Sequence, residues 1–202
     1  MKIRFEKYND NWASRFQDVK TELMETIGFL KPKIEHIGST SVNGLSAKPI
    51  IDILVGLDFE SDLDKALEPL LKENYVYFEI FNESMPYRRF FVKHSASPTE
   101  LSIPKLIRTP EEIPSSTNEH SHRLAHIHIL NIDSEHWTRH IAFRDYLRAF
   151  PEVKFEYQQL KENLSKKEWI DGNEYNMAKN IFIKIEEKKA IDWYENNFQI
   201  KK

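Results

Sequence analysis

Apolar residues recur every three or four positions between residues 12 and 30. Asn9 and Asp10 precede this stretch and are residue types that cap helices, while Gly28 lies near its end. The spacing predicts an amphipathic helix with one buried face. Its apolar positions are Trp12, Phe16, Val19, Leu23, Met24, Ile27 and Leu30.

Short apolar runs follow this helix and predict strands. Residues 33–37 form the first candidate, and the run 49–55 is apolar enough to lie inside a sheet that is covered on both faces. Ser61 and Asp64 resemble a capping box, so a helix is expected at 61–71. Further strands are expected at 75–81, 87–93 and 123–130.

The last third of the chain has helical spacing. One helix is predicted from Asp133 or Ser134, a second from Pro151, and a third over about 174–197. This order of elements predicts an α+β fold, with a mixed β-sheet flanked by helices and C-terminal helices packed on the core. We expect a single domain over residues 1–202, in which 134–202 form the helical C-terminal part.

Residues 94–122 are rich in proline and serine and have little periodicity. Four of the nine prolines fall here, namely Pro98, Pro104, Pro110 and Pro114. Long connections of this kind are usually lids, binding loops or disordered insertions. The segment is therefore predicted to be a loop insertion, with these three alternatives open.

Bulk composition narrows the class of protein. The chain has 202 residues, of which 40% are hydrophobic and 30% are charged, an ordinary globular balance. Its 29 basic and 32 acidic residues give a net charge of −3, so long nucleic acid is not an expected partner, whereas a small phosphorylated molecule is compatible. There is no cysteine, which excludes disulfides and thiolate sites. The chain shows no signal-peptide pattern and no apolar run long enough for a membrane span, so we expect a cytoplasmic protein without membrane contact.

Candidate chemistry is densest between residues 36 and 54. Gly38 and Gly44 are two of only five glycines in the chain, and glycine allows positive φ and close approach of a ligand. Backbone N–H groups beside hydroxyls suit a phosphate group, and Lys48 adds positive charge at the end of the loop. The hydroxyls belong to Ser39, Thr40 and Ser41.

Asp52 lies inside the apolar strand that follows this loop. A carboxylate in such a strand is costly unless it is paired, protonated or bound to a metal. The alternative is that the loop is an ordinary Gly/Ser turn and that Asp52 pairs with Lys48 or an arginine. The residue pattern alone supports both interpretations equally, because structural ion pairs also perturb carboxylates.

Two sequence motifs in this region carry a family resemblance. His36-Ile-Gly-Ser-Thr-Ser-Val42 and Ala47-Lys-Pro-Ile-Ile-Asp-Ile53 closely resemble the GrpB family, which is placed in the nucleotidyltransferase superfamily with DNA polymerase beta. Three further stretches agree with the family in order, so the resemblance covers nearly the whole chain. These are His126-Ile-His128, residues 137–148, and the closing positions Tyr157, Leu160, Lys161, Tyr175, Lys179, Phe182 and Ile183.

The resemblance implies a site and an activity. In the superfamily a Gly-Ser pair contacts a nucleoside triphosphate, and two carboxylates on the next strand hold divalent ions. By resemblance, Gly38 and Ser39 would contact the triphosphate, and Asp52 would be the catalytic metal ligand. The second acidic position falls on Leu54, which cannot ligate a metal.

His126 and His128 offer a different ligand set. Residues two apart on a strand point to the same face, and one aspartate with two histidines suits a single transition-type ion better than a pair of Mg²⁺ ions. Two-metal transfer needs several oxygen ligands. The ordinary alternative is that both imidazoles only bond to neighbours. We predict a divalent metal cofactor, Mg²⁺ or Mn²⁺ with Zn²⁺ as the alternative, bound by Asp52, His126 and His128.

Several basic residues are candidates for phosphate contacts. Arg88 and Arg89 are adjacent on a predicted strand, so one faces the site and the other faces away, and either is equally well explained as a surface arginine. We assign Arg89 to the phosphate site, together with His36. The C-terminal helices carry further basic residues that either close the cleft over a ligand or pair with Asp145 and Glu156. These are Arg144, Arg148, Lys161 and Lys179.

Three functions are compatible with these residues. The first is a nucleotidyltransferase-like protein that binds a nucleoside triphosphate with a divalent metal and transfers a nucleotidyl group to a small acceptor. The second is a non-catalytic nucleotide- or phosphate-binding module, for which Leu54 is the best support. The third is a phosphoester hydrolase with an Asp and His metal site. Fold class does not distinguish them, since one scaffold hosts many reactions.

Overall fold

A computed structural model describes residues 5–113, 122–170 and 172–198. Its strands are β1 (Lys33–Ile37), β2 (Ile51–Leu57), β3 (Val76–Phe78), β4 (Arg88–His94), β5 (Leu106–Ile107) and β6 (Arg123–Asn131). They form one sheet in the order β1-β2-β6-β4-β3-β5. The pairs β2–β6 and β3–β5 are parallel and the others are antiparallel. The mixed sheet of the predicted α+β fold is therefore confirmed.

Helices cover both faces of this sheet. They are α1 (Asn11–Ile27), α2 (Leu67–Lys72), α3 (Glu135–Ala149), α4 (Pro151–Ser165) and α5 (Gly172–Phe198). The Ser134 hydroxyl accepts a hydrogen bond from the Trp137 N–H at 3.2 Å, which caps the start of α3 where the sequence predicted it. Among the described residues, no helix is long and apolar enough to cross a membrane. The cytoplasmic location stays a prediction.

The alternation of side chains along β2 separates the core from the site. Ile51, Ile53 and Val55 are buried in the core that α1 and α2 cover. Asp52 and Leu54 point to the opposite face, where Leu54 packs beneath α3. The C-terminal helices therefore lie over the face that carries Asp52.

The register between β2 and β6 brings the predicted polar residues together. Asp52 is paired with His126, and Leu54 with His128, in the parallel ladder. On the other side of β6, Phe90 of β4 lies opposite His128. These side chains share one face of the sheet, because residues paired across neighbouring strands point the same way.

The described part of segment 94–122 differs from the predicted loop. Residues 106–107 form β5, which pairs in parallel with β3 at the sheet edge. Ile103 and Ile107 are buried beside Val76 and Phe78. A strand of two residues has too little periodicity to be predicted from sequence. Residues 114–121 of the predicted insertion lie outside the described residues.

Two other elements differ in type from the elements that the sequence predicted. The expected helix at 61–71 is a 3-10 helix over Glu60–Ala66 followed by the short helix α2. The expected strand at 75–81 ends at Phe78, and Glu79–Phe81 form a 3-10 turn. Both differences lie away from the loop and strand that carry Gly38 and Asp52.

Candidate functional site

A cavity of about 650 Å³ lies between the sheet and helices α3, α4 and α5. Its volume falls in the range of small-molecule binding sites. It is lined by the loop after β1, by β2, β4 and β6, by the end of β3 and the turn after it, and by the three C-terminal helices. The site therefore combines residues from both halves of the chain.

The loop after β1 is held tightly against Asp52. Gly38 has a φ of 69°, and a Cβ atom at this position would collide with the Asp52 carboxylate. The Ser41 hydroxyl donates to the Gly38 carbonyl at 2.7 Å and closes the 3-10 turn Ser39–Ser41. Only glycine satisfies both the positive φ and the close approach.

His36 and Ser41 support this loop from behind the cavity. The His36 Nε2 and Thr40 Oγ1 atoms are 2.9 Å apart, and the His36 ring stacks on Phe16 with ring centroids 4.8 Å apart. Arg148 donates to the Ser41 carbonyl at 2.7 Å. Burial lowers the pKa of His36 to about 4, so the ring is neutral near pH 7. These contacts fix the loop conformation.

Asp52 and His126 form a hydrogen-bonded pair on the floor of the cavity. The His126 Nδ1 atom donates to Asp52 Oδ1 at 3.2 Å, and Arg123 donates to His126 Nε2 at 3.4 Å. Burial lowers the pKa of His126, although the contact with Asp52 acts in the other direction. A neutral ring with its proton on Nδ1 matches both contacts.

His128 has a different partner. The Arg88 Nη1 atom donates to His128 Nδ1 at 3.1 Å. Burial and the nearby Arg88 charge hold the pKa of His128 well below its ordinary value. The His140 ring lies 6.1 Å away and also has a lowered pKa, about 3, because it is buried near Arg139. Both rings are neutral near pH 7, so Arg88 and Arg139 supply the positive charge at this end.

These contacts do not fit the predicted metal site. Leu54 is fully buried and has no ligating atom. Among the described residues, no three His, Asp or Glu side chains are grouped as a metal-ligand set. The Nδ1 atom of His126 is bonded to Asp52 and that of His128 to Arg88, so each of these ring nitrogens already has a protein partner. We therefore derive no chemistry through a bound ion, and the divalent cofactor stays a prediction.

Lys161 reaches the loop from helix α4. Its Nζ atom donates to the Ser46 carbonyl at 2.6 Å and to the Ser39 hydroxyl at 3.1 Å. Burial, together with the charge of Lys179, lowers the pKa of Lys161 to about 6. A buried amine with this pKa is largely neutral at pH 7 and gains its proton when an anion approaches.

The side chains of Lys48 and Lys179 both lie against the ring of Tyr175. Their Nζ atoms are 4.7 Å and 5.0 Å from the centroid of the Tyr175 ring. Burial lowers the pKa of Lys48 to about 8, with Lys179 as the next contribution. Burial also lowers the pKa of Lys179. The two ammonium groups therefore crowd one end of the cavity.

Basic side chains dominate the cavity lining. Seven lysines and arginines line it, against the two carboxylates Asp52 and Glu187. The excess is notable because the whole chain has a net charge of −3. Such a concentration of positive charge attracts anions. The cationic residues are Lys48, Arg88, Arg123, Arg139, Arg144, Lys161 and Lys179.

An aromatic wall lies between two of these arginines. The ring of Phe90 is 5.6 Å from that of Phe78 and 5.9 Å from that of Phe81. Arg88 lies over Phe90 and Arg123 over Phe78, at 5.1 Å and 5.6 Å from the ring centroids. The cavity thus offers an apolar surface next to its cationic groups.

Comparison with known proteins places this arrangement in a family. The GrpB protein family model matches residues 2–189. The chain belongs to the GrpB family. It is 31% identical to the glutamate-rich protein GrpB of Alkalihalophilus pseudofirmus, over 87% of this chain and 88% of that protein.

Two further similarities extend the comparison. The crystal structure of conserved protein GrpB from Enterococcus faecalis is similar with a TM-score of 0.74 and 29% sequence identity, covering 95% of this chain and 99% of that one. A dephospho-CoA kinase of Mycolicibacterium paratuberculosis is 23% identical over 96% of this chain, but the match spans only 47% of that protein. The GrpB resemblance and its fold are thereby confirmed.

Most of the site residues predicted for this GrpB chain line one cavity. Seven of them do so, and His36, Ser41 and Arg89 do not. Arg89 points to the other face of the sheet, where its Nε atom pairs with Asp64 Oδ1. Arg88 occupies the cavity instead, because strand alternation places it on the same face as Phe90. The seven are Gly38, Ser39, Thr40, Lys48, Asp52, His126 and His128.

The C-terminal helices of the GrpB chain contribute cavity residues whose role the sequence left open or missed. Arg144 and Arg148 both pair with Asp145, the ordinary alternative, and Arg144 also lines the cavity. Lys161 and Lys179 line the cavity. Their sequence signal is a repeated spacing, Tyr157-x-x-x-Lys161 and Tyr175-x-x-x-Lys179. Across the whole cavity, the lining residues that sequence reasoning did not assign to the site include Arg123, Arg139, His140, Tyr157, Tyr175 and Glu187.

Proposed function

We propose that this GrpB family member binds a nucleotide or another small phosphorylated molecule in the cavity, without a divalent metal. The observation that carries the proposal is the lining of seven lysine and arginine side chains against two carboxylates; of the seven, Arg144 is also paired with Glu35 and Asp145. Burying like charges together is unfavourable, and an anionic ligand compensates for that cost. Phosphate oxygens accept charge-assisted hydrogen bonds from lysine and arginine.

We infer a different role for each end of the cavity. The Gly38–Ser39 backbone and the Lys161 ammonium group lie together at one end, where they would contact a phosphate group. The aromatic wall at Phe90 would hold a base or another apolar part. Arg88 lies over that wall and would bind a further anionic group.

The same contacts count against the two metal-dependent functions. Nucleotidyl transfer and metal-dependent hydrolysis both require a cation held by several ligands. Asp52 is the one carboxylate on this part of β2, because the second position is the buried Leu54. The surrounding lysines and arginines would also repel a divalent ion. The non-catalytic binding module is therefore the function that the site supports best.

A thermal-shift experiment with ATP tests this function. We expect ATP to raise the melting temperature in the presence of EDTA, because a ligand that binds only the folded state stabilises it. Lys161→Met should remove most of the shift, since the Lys161 ammonium group would contact a phosphate. Lys166→Met, at an exposed lysine after the same helix, should keep it. The measurement is the melting temperature against ATP concentration.

Two outcomes would contradict the proposal. Stabilisation that appears only when Mg²⁺ or Mn²⁺ is added would favour the nucleotidyltransferase hypothesis. Steady consumption of ATP by the purified protein would show that the cavity is catalytic. The similarity to dephospho-CoA kinase spans 47% of that protein, and no kinase activity is carried over from it.

A further inference from the structure

Helix α5 has one face toward the cavity and an apolar stripe on the opposite face. Lys179 and Ile183 line the cavity. Met177, Ile181 and Ile185 point outward and are 73%, 75% and 54% exposed. Residues four apart lie on the same side of a helix, so the three form one continuous stripe about 12 Å long. Exposed apolar residues are ordinary when scattered, but a continuous stripe marks an interaction surface.

The residues of the stripe are arranged symmetrically along the helix on either side of Ile181. Met177 and Ile185 lie four residues before and after it, and the exposed Glu174 and Lys188 lie seven residues before and after it. The two ends thus carry opposite charges at equal distances from the centre. Glu174 also accepts a hydrogen bond from the Ile170 N–H at 2.7 Å, which fixes its carboxylate at the start of the helix.

This arrangement of apolar and charged residues is complementary to a second copy of itself when the two helices are antiparallel. If two such helices pair antiparallel about a twofold axis at Ile181, Met177 of one copy faces Ile185 of its partner. Glu174 of each copy then faces Lys188 of the other, so both ends of the contact are attractive. Parallel pairing would place each charge against its own kind and is disfavoured.

We propose that a second copy of this chain packs on this face, with α5 against α5 and antiparallel about Ile181. The apolar stripe would form the centre of the contact, and the Glu174–Lys188 pairs would flank it about 10 Å from the centre on each side. The aliphatic stem of Lys184 borders the stripe and would cover its edge. The cavity lies on the opposite side of α5 and would stay open to ligand.

Sedimentation and light scattering measure this association directly. We expect the mass to rise from 24.1 kDa towards twice that value as the protein concentration increases. Ile181→Asp should keep the protein monomeric, because it places two charges at the centre of the contact. Phe29→Asp is the matched control, since Phe29 is 64% exposed on another part of the surface. A wild-type protein that stays monomeric at every concentration would overturn the proposal.

Charge reversal tests the flanking pairs. Glu174→Lys alone and Lys188→Glu alone should each weaken the dimer, because each brings like charges together at both ends. The double variant restores opposite charges and should dimerise like the parent. If the double variant is no better than the single variants, or if Ile181→Asp still dimerises, the α5 contact is wrong.

The absence of cysteine allows a test of orientation. Antiparallel pairing brings residue 177 of one copy near residue 185 of the other, and a disulfide requires Cα atoms within about 7 Å. Met177→Cys mixed with Ile185→Cys should therefore cross-link under mild oxidation, whereas Met177→Cys alone should not. Cross-linking of Met177→Cys with itself would indicate parallel pairing and contradict the proposed geometry. Circular dichroism of each variant checks that the fold is intact.

Discussion

Gly38 lies against the Asp52 carboxylate with a positive φ, and both features oppose any side chain at this position. We expect Gly38→Ala to lower the free energy of unfolding by about 1–3 kcal/mol and to weaken ATP binding, because the loop must move away from Asp52. Chemical denaturation and the thermal shift with ATP measure the two effects.

Gly44 provides the control for that substitution. It also has a positive φ, 78°, but a Cβ atom there would meet only the end of the flexible Lys154 side chain at 3.9 Å. Gly44→Ala should show only the backbone cost, about 1–2 kcal/mol, and bind ATP like the parent. Equal losses of ligand binding in both variants would mean that the Gly38–Asp52 contact has no special role.

Lys161 makes the stability of the ligand-free protein depend on pH. Its pKa in the folded state is lowered to about 6, from 10.5 in the unfolded chain, because it is buried near Lys179. Between these values the unfolded chain binds more protons, so stability rises with pH. The free energy of unfolding therefore falls as pH is lowered from 10.5 towards 6, because the unfolded chain then binds a proton that the folded protein does not.

Lys161→Met should reduce that pH dependence. The parent is expected to gain up to about 1.4 kcal/mol per pH unit relative to the variant between pH 6.5 and 9. Urea denaturation of both proteins across this range is the measurement. Parallel stability curves would show that Lys161 keeps an ordinary pKa in the fold. The substitution also removes the hydrogen bonds to Ser39 and Ser46, but that loss shifts the whole curve and not its slope.

At the scale of single elements, strand β4 directs the side chains of two adjacent arginines to opposite faces of the sheet. Arg88 faces the cavity and contacts His128, whereas Arg89 pairs with Asp64 on the other face. Arg88→Met should weaken binding of ATP, because the cavity loses one cationic group. Arg89→Met should leave binding close to the parent value. Isothermal titration of both variants makes the comparison, and a larger loss in Arg89→Met would reverse the assignment.

Most of the helix and strand pattern was predictable because it depends on local spacing, and the exceptions are short elements such as β5. Caps such as Ser134 fix where a helix begins, and the apolar run after Gly38 identifies the central strand. The face on which each arginine of β4 points was not predictable. It depends on the register with β6, where Phe90 lies opposite His128, and register is set by the packing of the whole sheet.

At the scale of the whole molecule, the site exists only when the chain is folded end to end. Lys161 contacts Ser39 across a separation of 122 residues. The family motif locates the Gly38–Asp52 half of the site in the sequence. Four of the seven basic lining residues come from three helices, and only the packing of these helices decides which lysines face the cavity. The repeated Tyr-x-x-x-Lys spacing was the sequence signal for Lys161 and Lys179. Spacing alone does not show whether these side chains point towards the cavity or away from it.

The two-residue strand β5 has a consequence for solubility. It covers the outer edge of β3, whose residues Val76 and Phe78 are buried. An uncovered apolar edge is a template for pairing with other chains, and a very short terminal strand offers little to extend. Shortening the segment before β5 should therefore promote aggregation of the protein, and it should also disturb the aromatic wall of the cavity, because Phe78 pairs with Ile107 of β5.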